Sequence, residues 1–151
     1  GSFAALMLSF NDRAGLTILL GTVLGVAAND VGALVVGQQV GRAPVAPEVS
    51  PNKTIEGLFG GAIASIAVSV LVLGIIGAEP WDTGSAAALG LLVAVIAPLG
   101  DLCESMIKRD LGIKDMGSVL PGHGGLLDRF DGLLFALPAA YALVRVLDVV
   151  G

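Results

Sequence analysis

Asp101 and Glu104 stand three residues apart, as do Asp128 and Asp131, and each pair falls where a long apolar run ends or begins. Residues three apart share one face of a helix. Two helices therefore each present a pair of carboxylates at similar depth, with Lys108, Arg109, Lys114 and Arg129 between or beside them. Gathering so many acids near hydrocarbon is costly unless positive charge is close. Two arrangements meet that demand. The cations pair with the acids as a structural salt-bridge network, or the acids hold a divalent ion while the cations hold a polyphosphate. Oxygen-only ligands suit Mg2+, which keeps waters and takes one or two carboxylates plus substrate phosphates. The run Pro121-Gly122-His123-Gly124-Gly125 favours the second arrangement, because its glycines let backbone approach a ligand closely.

His123 is the only histidine, which excludes a His-rich transition-metal site. Its open roles are general base, phosphate hydrogen-bond donor, or a loop residue satisfied by backbone. Should the nucleophile itself be a phosphate, no base is required and donor is the better role. A second polar stretch reads Ser50-Pro51-Asn52-Lys53-Thr54-Ile55-Glu56-Gly57. Pro51 prevents a helix before it, and Thr54 is placed to cap one beginning near Ile55. A helix amino terminus with free N–H groups, a hydroxyl and a lysine is a natural phosphate site. An ordinary capped loop, with Lys53 as a membrane-surface anchor, explains this stretch equally well. Asp30, beside Asn29, lies inside an apolar run, where an ionisable group is a functional candidate by default. Lining the same polar cavity and pairing across helices are both open to it.

The elements that must position these groups are membrane spans. Hydrophobic residues make up 55% of the chain and charged residues 14%, with a mean hydropathy of +0.90. A soluble domain needs far more polar surface. Four runs have about the 20 residues that a spanning helix takes. They cover 16–40, 58–77, 86–107 and 132–150, and residues 3–10 look like the tail of an earlier helix. The expected fold is all-α: a polytopic transmembrane helical bundle forming a single catalytic domain over residues 1–151. Glycine and alanine inside the spans suit close helix approach in lipid. Cys103 is the only cysteine, so there is no internal disulfide. A net charge of −5 argues against nucleic acid as a partner. Gly1-Ser2 resembles a cloning remnant, and with no initiator Met the chain reads as a piece of a longer membrane protein.

If the spans alternate, residues 41–57 and 110–131 share one side. Six of the eight Lys and Arg lie there or at its border, namely Arg42, Lys53, Lys108, Arg109, Lys114 and Arg129. The positive-inside rule then makes that side cytoplasmic and faces the amino terminus of this chain outward.

The 27 positions from Ser105 to Asp131 carry Ser105-Met106-Ile107-Lys108-Arg109, Lys114-Asp115, Gly117, Leu120-Pro121, His123-Gly124-Gly125-Leu126 and Asp128-Arg129-Phe130-Asp131. This pattern resembles the signature of the phosphatidate cytidylyltransferase (CDP-diacylglycerol synthase) family without a departure. The Ser50–Gly57 stretch is similar to that family's upstream motif. One departure lies earlier, where the family often has Asp-Ser-Gly-Ala and this chain has Asn29-Asp30-Val31-Gly32-Ala33. It leaves the role of Asp30 open. The resemblance runs from about Ala28 to Leu134 and corresponds to the carboxy-terminal catalytic part of longer family members.

The resemblance implies transfer of a cytidylyl group from CTP to phosphatidic acid. It makes Asp101 and Asp128 the metal-binding aspartates, with Glu104 and Asp131 in support, and Mg2+ the cofactor, joined by a second metal or a monovalent cation such as K+. Lys108, Arg109 and Arg129 would offset phosphate charge, with His123 beside them. Ser50, Lys53, Thr54, Glu56, Lys114, Gly124 and Gly125 would contact substrate. The expected setting is a bacterial-type inner membrane with the site facing the cytoplasm, and dimerisation is a family expectation. Rival readings are a polyprenol kinase, an archaeal-type lipid cytidylyltransferase, an ion or proton transporter using Asp30, Asp101 and Glu104, and a purely structural membrane subunit. The transporter predicts carboxylates at mid-membrane without clustered cations, whereas most acids here lie near span ends beside Lys and Arg.

Overall fold

A computed structural model describes residues 2–8, 12–47, 50–77, 79–111 and 131–148. The chain is an all-α, polytopic transmembrane bundle. Its helices are α1 (Ser2–Leu8), α2 (Asp12–Val40), α3 (Ile55–Ser69), α4 (Thr83–Asp110) and α5 (Asp131–Val146). The last turns of α3 widen into a π-helical segment, Val70–Ile75. Among the described residues, three helices are long and apolar enough to cross a membrane: Arg13–Val40, Ile55–Ile75 and Thr83–Asp110. These fall on the first three expected spans. The fourth expected span is represented by α5, whose apolar portion, Gly132–Val146, is shorter than those three.

Glycine sets the closest helix pair. A β-carbon on Gly61 of α3 would lie 2.7 Å from the Asn29 carbonyl oxygen and 2.8 Å from Asn29 Oδ1 on α2. One on Gly32 would come 2.8 Å from the Gly60 carbonyl oxygen, and one on Gly60 would collide with Val36. Lipid gives no hydrophobic drive to helix association, so this backbone-to-backbone approach supplies the dispersion contacts that do. The α3–α4 pair adds a buried hydrogen bond, Ser65 Oγ donating to the Gly90 carbonyl at 3.0 Å. Ile18, Val26, Leu73, Leu89, Val93, Ala97, Ala136, Ala140 and Val144 fill the centre. Leu20, Val31, Phe59, Ile63 and Leu91 point outward, as lipid-facing residues should.

Between α2 and α3 the chain makes an antiparallel strand pair, β1 (Pro44–Ala46) with β2 (Ser50–Thr54), in the register Pro44↔Thr54 and Ala46↔Ser50. Sequence patterning predicts only a loop here. Pro44, Pro47 and Pro51 disfavour helix in the residues before them, and a two-stranded ribbon tolerates the N–H that Pro51 lacks. The Thr54 cap forms as expected, its Oγ1 accepting from Gly57 N–H at 3.2 Å. At the far end of the bundle Asp82 caps α4 reciprocally with Ser85. Its carboxylate accepts from Ser85 N–H at 2.7 Å, and Ser85 Oγ accepts from Asp82 N–H at 3.0 Å.

Candidate functional site

The strand pair folds over the end of the bundle and is held there by Glu56, whose Oε2 accepts from Arg42 N–H at 3.1 Å and Ala43 N–H at 3.4 Å. Ile55 N–H donates to the Ala43 carbonyl at 2.9 Å, closing the same junction. Lys53 and Thr54 thereby stand over a polar cavity of about 320 Å³ enclosed by α2, β2, α3 and α4. Asn29, Asp30, Ala33 and Leu34 line it from α2, and Ser50, Lys53 and Thr54 from β2. Gly57 and Leu58 contribute from α3, and Pro98 and Asp101 from α4. That volume lies at the small end for a ligand pocket, enough for part of a nucleotide headgroup.

Among the described residues, two carboxylates and one ammonium face this space. Lys53 Nζ pairs with the Asp101 carboxylate, and both side chains are partly exposed. Asp30 lies within electrostatic reach of both and accepts a hydrogen bond from the Asn29 side chain. Asn29 is 3% exposed, and its Oδ1 has no hydrogen-bond partner among the described residues, lying against Gly61. Pro98 sits inside α4 one turn before Asp101. Having no N–H, it cannot donate to the carbonyl four residues back, which loosens the helix where the cavity opens.

Of the residues singled out from sequence, Ser50, Lys53, Thr54 and Asp101 meet in this cavity. Glu56 does not line it, because its carboxylate is engaged by the Arg42 and Ala43 amides. Glu104 is buried and pairs with Lys108 Nζ at 2.7 Å. Arg109 is exposed on the last turn of α4. Asp131 begins α5. Lys114, His123, Gly124, Gly125, Asp128 and Arg129 lie outside the described residues. The structure adds Asn29 and gives Asp30 a place in the same cavity as Asp101. The available signal for both was polarity inside an apolar run.

The donor set suits a hard cation. Among the described residues, no three or more His, Cys, Asp and Glu cluster as a metal site. Asp30 and Asp101 are two carboxylates sharing one cavity, and Mg2+ needs no more than one or two when phosphates complete its shell.

Residues 1–147 match the model of the Cytidylyltransferase family. The chain is 42% identical over 147 residues to the phosphatidate cytidylyltransferase of Mycobacterium leprae, covering 97% of this chain and 46% of that protein. It is 38% identical over 135 residues to the Bacillus subtilis phosphatidate cytidylyltransferase, covering 89% of this chain and 50% of that protein. It thus spans about half the length of these curated relatives. Among solved structures, an intramembrane enzyme for archaeal membrane lipid biosynthesis superposes with a TM-score of 0.58 at 30% identity, over 87% of this chain and 78% of that one. With a family match across nearly its whole length and a bundle that encloses a polar cavity between apolar helices, this chain belongs to the cytidylyltransferase family.

Proposed function

We propose that the chain is the catalytic part of a phosphatidate cytidylyltransferase, acting at the cytoplasmic face of a bacterial-type inner membrane. The carrying observation is the meeting of Asp30, Lys53 and Asp101 in one cavity, between the bodies of α2 and α4 and the start of α3. The names of the relatives support CTP and phosphatidic acid as substrates.

In the proposed reaction a phosphate oxygen of phosphatidic acid attacks the α-phosphorus of CTP. The new P–O bond forms as the bond to the β-phosphate oxygen breaks, releasing pyrophosphate and leaving CDP-diacylglycerol. The nucleophile is already anionic, so positioning and charge neutralisation matter more than proton transfer. Asp101, with Asp30 beside it, would hold Mg2+ together with Asp128 from the segment outside the described residues. When bound, Mg2+ supplies charge neutralisation along the triphosphate. Lys53 contributes a mobile positive charge, and the Ser50 and Thr54 hydroxyls can donate to phosphate oxygens. Apolar outer faces leave the acceptor lipid free to approach laterally.

The test is label transfer from CTP to phosphatidic acid in detergent micelles, with and without EDTA. Label on the α-phosphate should enter the lipid and depend on Mg2+. Transfer of the γ-phosphate instead would make the enzyme a lipid kinase. The structural likeness to an archaeal membrane-lipid enzyme supports a second acceptor class, so an archaeal lipid belongs in the same assay. Preference for it would displace phosphatidic acid.

A further inference from the structure

Lys53 and Asp101 lie 48 positions apart (101 − 53) yet are ion-paired inside the cavity. The two partners differ in mobility. Asp101 is fixed in the middle of α4, whereas Lys53 carries its charge on a flexible four-carbon stem at the end of a short strand. We propose that Lys53 is a tethered counter-ion that competes with a divalent cation for Asp101, and that nucleotide phosphate relieves this competition. The inference rests on the reading of this cavity as a nucleotide and metal site.

Charge arithmetic among the lining residues carries the argument. Among the described lining residues, two acids, Asp30 and Asp101, face one cation, Lys53. A divalent cation on Asp101 would force the Lys53 ammonium off that carboxylate and hold it near a second positive charge. Like charges at such range in a partly desolvated site oppose each other appreciably. A polyphosphate beside them changes the sign of that interaction, because Lys53 then turns from competitor to ligand. Metal alone should therefore bind weakly, and metal and nucleotide should each strengthen the other by the same factor. Glu56 keeps the strand pair anchored to Arg42 and Ala43 throughout, so the movement is confined to the lysine stem.

The test is Mn2+ binding to the purified protein in micelles, followed by electron paramagnetic resonance with and without CTP. Lys53→Met should bind Mn2+ alone about tenfold more tightly than wild type, a typical worth for a partly exposed charge partner. Its affinity should also gain less from CTP. Arg42→Met removes the same charge from a residue outside the cavity lining and should leave Mn2+ affinity near wild type. Equal or weaker Mn2+ binding by Lys53→Met, or an equal gain from Arg42→Met, overturns the proposal. A reading on wild type needs no variant. Saturating Mg2+ should raise acetylation of Lys53 by an amine-reactive ester, as seen by mass spectrometry, and added CTP should lower it. Labelling unchanged by Mg2+ contradicts the competition. Cytidylyl transfer measured on the same sample keeps the two readings separate. Transfer without the Lys53 effect sinks the competition alone, and the Lys53 effect without transfer sinks the proposed function alone.

Discussion

Two aspartates of α4, one at its amino-terminal cap and one in its body, have different surroundings. Asp82 opens the helix on an exposed turn, where its carboxylate closes a reciprocal cap with Ser85. Asp101 lies two-thirds of the way along, inside a cavity with a second carboxylate and a single lysine. Both interactions are polar and both involve an acid. The cap is local and complete, because its partners are three residues apart and satisfy each other. Among the described residues the cavity is assembled from four elements and sets two carboxylates against one lysine. An acid satisfied within its own turn contributes stability, whereas one left in a cavity with a second acid can take a ligand.

Widening the α2–α3 seam should break the cavity end most severely. Gly61→Leu puts a side chain where Asn29 already stands and should cost about 1–3 kcal/mol or more through overpacking. Thermal unfolding in micelles should record the loss, and CTP binding should fall with it because Asn29 and Asp30 move away from Asp101. Thr54→Val is gentler. It removes the cap on α3, worth about 1 kcal/mol, and one cavity hydroxyl. A lower melting temperature together with a raised KM for CTP is the expected pair. An unchanged KM would limit Thr54 to capping.

The smallest effect belongs to the opposite end. The Ser85 side-chain and backbone donors hold the Asp82 carboxyl below the ordinary aspartate value. Because its folded pKa is depressed, the stabilisation is fully present above the ordinary range and declines as pH falls through the folded value. Asp82→Asn should remove this acid-dependent part of the unfolding profile and leave it unaltered near neutrality. A titration of melting temperature against pH checks it.

How much of this was visible in sequence follows from distance along the chain. The Thr54 cap and the Lys108–Glu104 pair depend on partners three or four residues apart and were readable from spacing. That spacing left the choice between salt bridge and ligand open for Glu104, and its burial and pairing with Lys108 show only the ion-paired arrangement. Asp30 was conspicuous as an acid inside an apolar run, but its helix face depends on how α2 meets α3. The Lys53–Asp101 pair, and the Glu56 carboxylate on amides 13 and 14 residues back, are long-range contacts that no local pattern encodes. The strand pair was missed because proline excludes helix without specifying which extended partner it finds.

The central claim is that the Asp101 cavity performs cytidylyl transfer, and one substitution made at the cap and in the body of α4 tests it. Incorporation of α-labelled CTP into phosphatidic acid should be compared for Asp101→Asn and Asp82→Asn, each verified as folded by its unfolding transition. Asp82→Asn should stay within about twofold of wild type, whereas Asp101→Asn should lose at least about a hundredfold, the scale of removing a pre-placed electrostatic group. A folded Asp101→Asn protein that transfers label as well as Asp82→Asn would contradict the account.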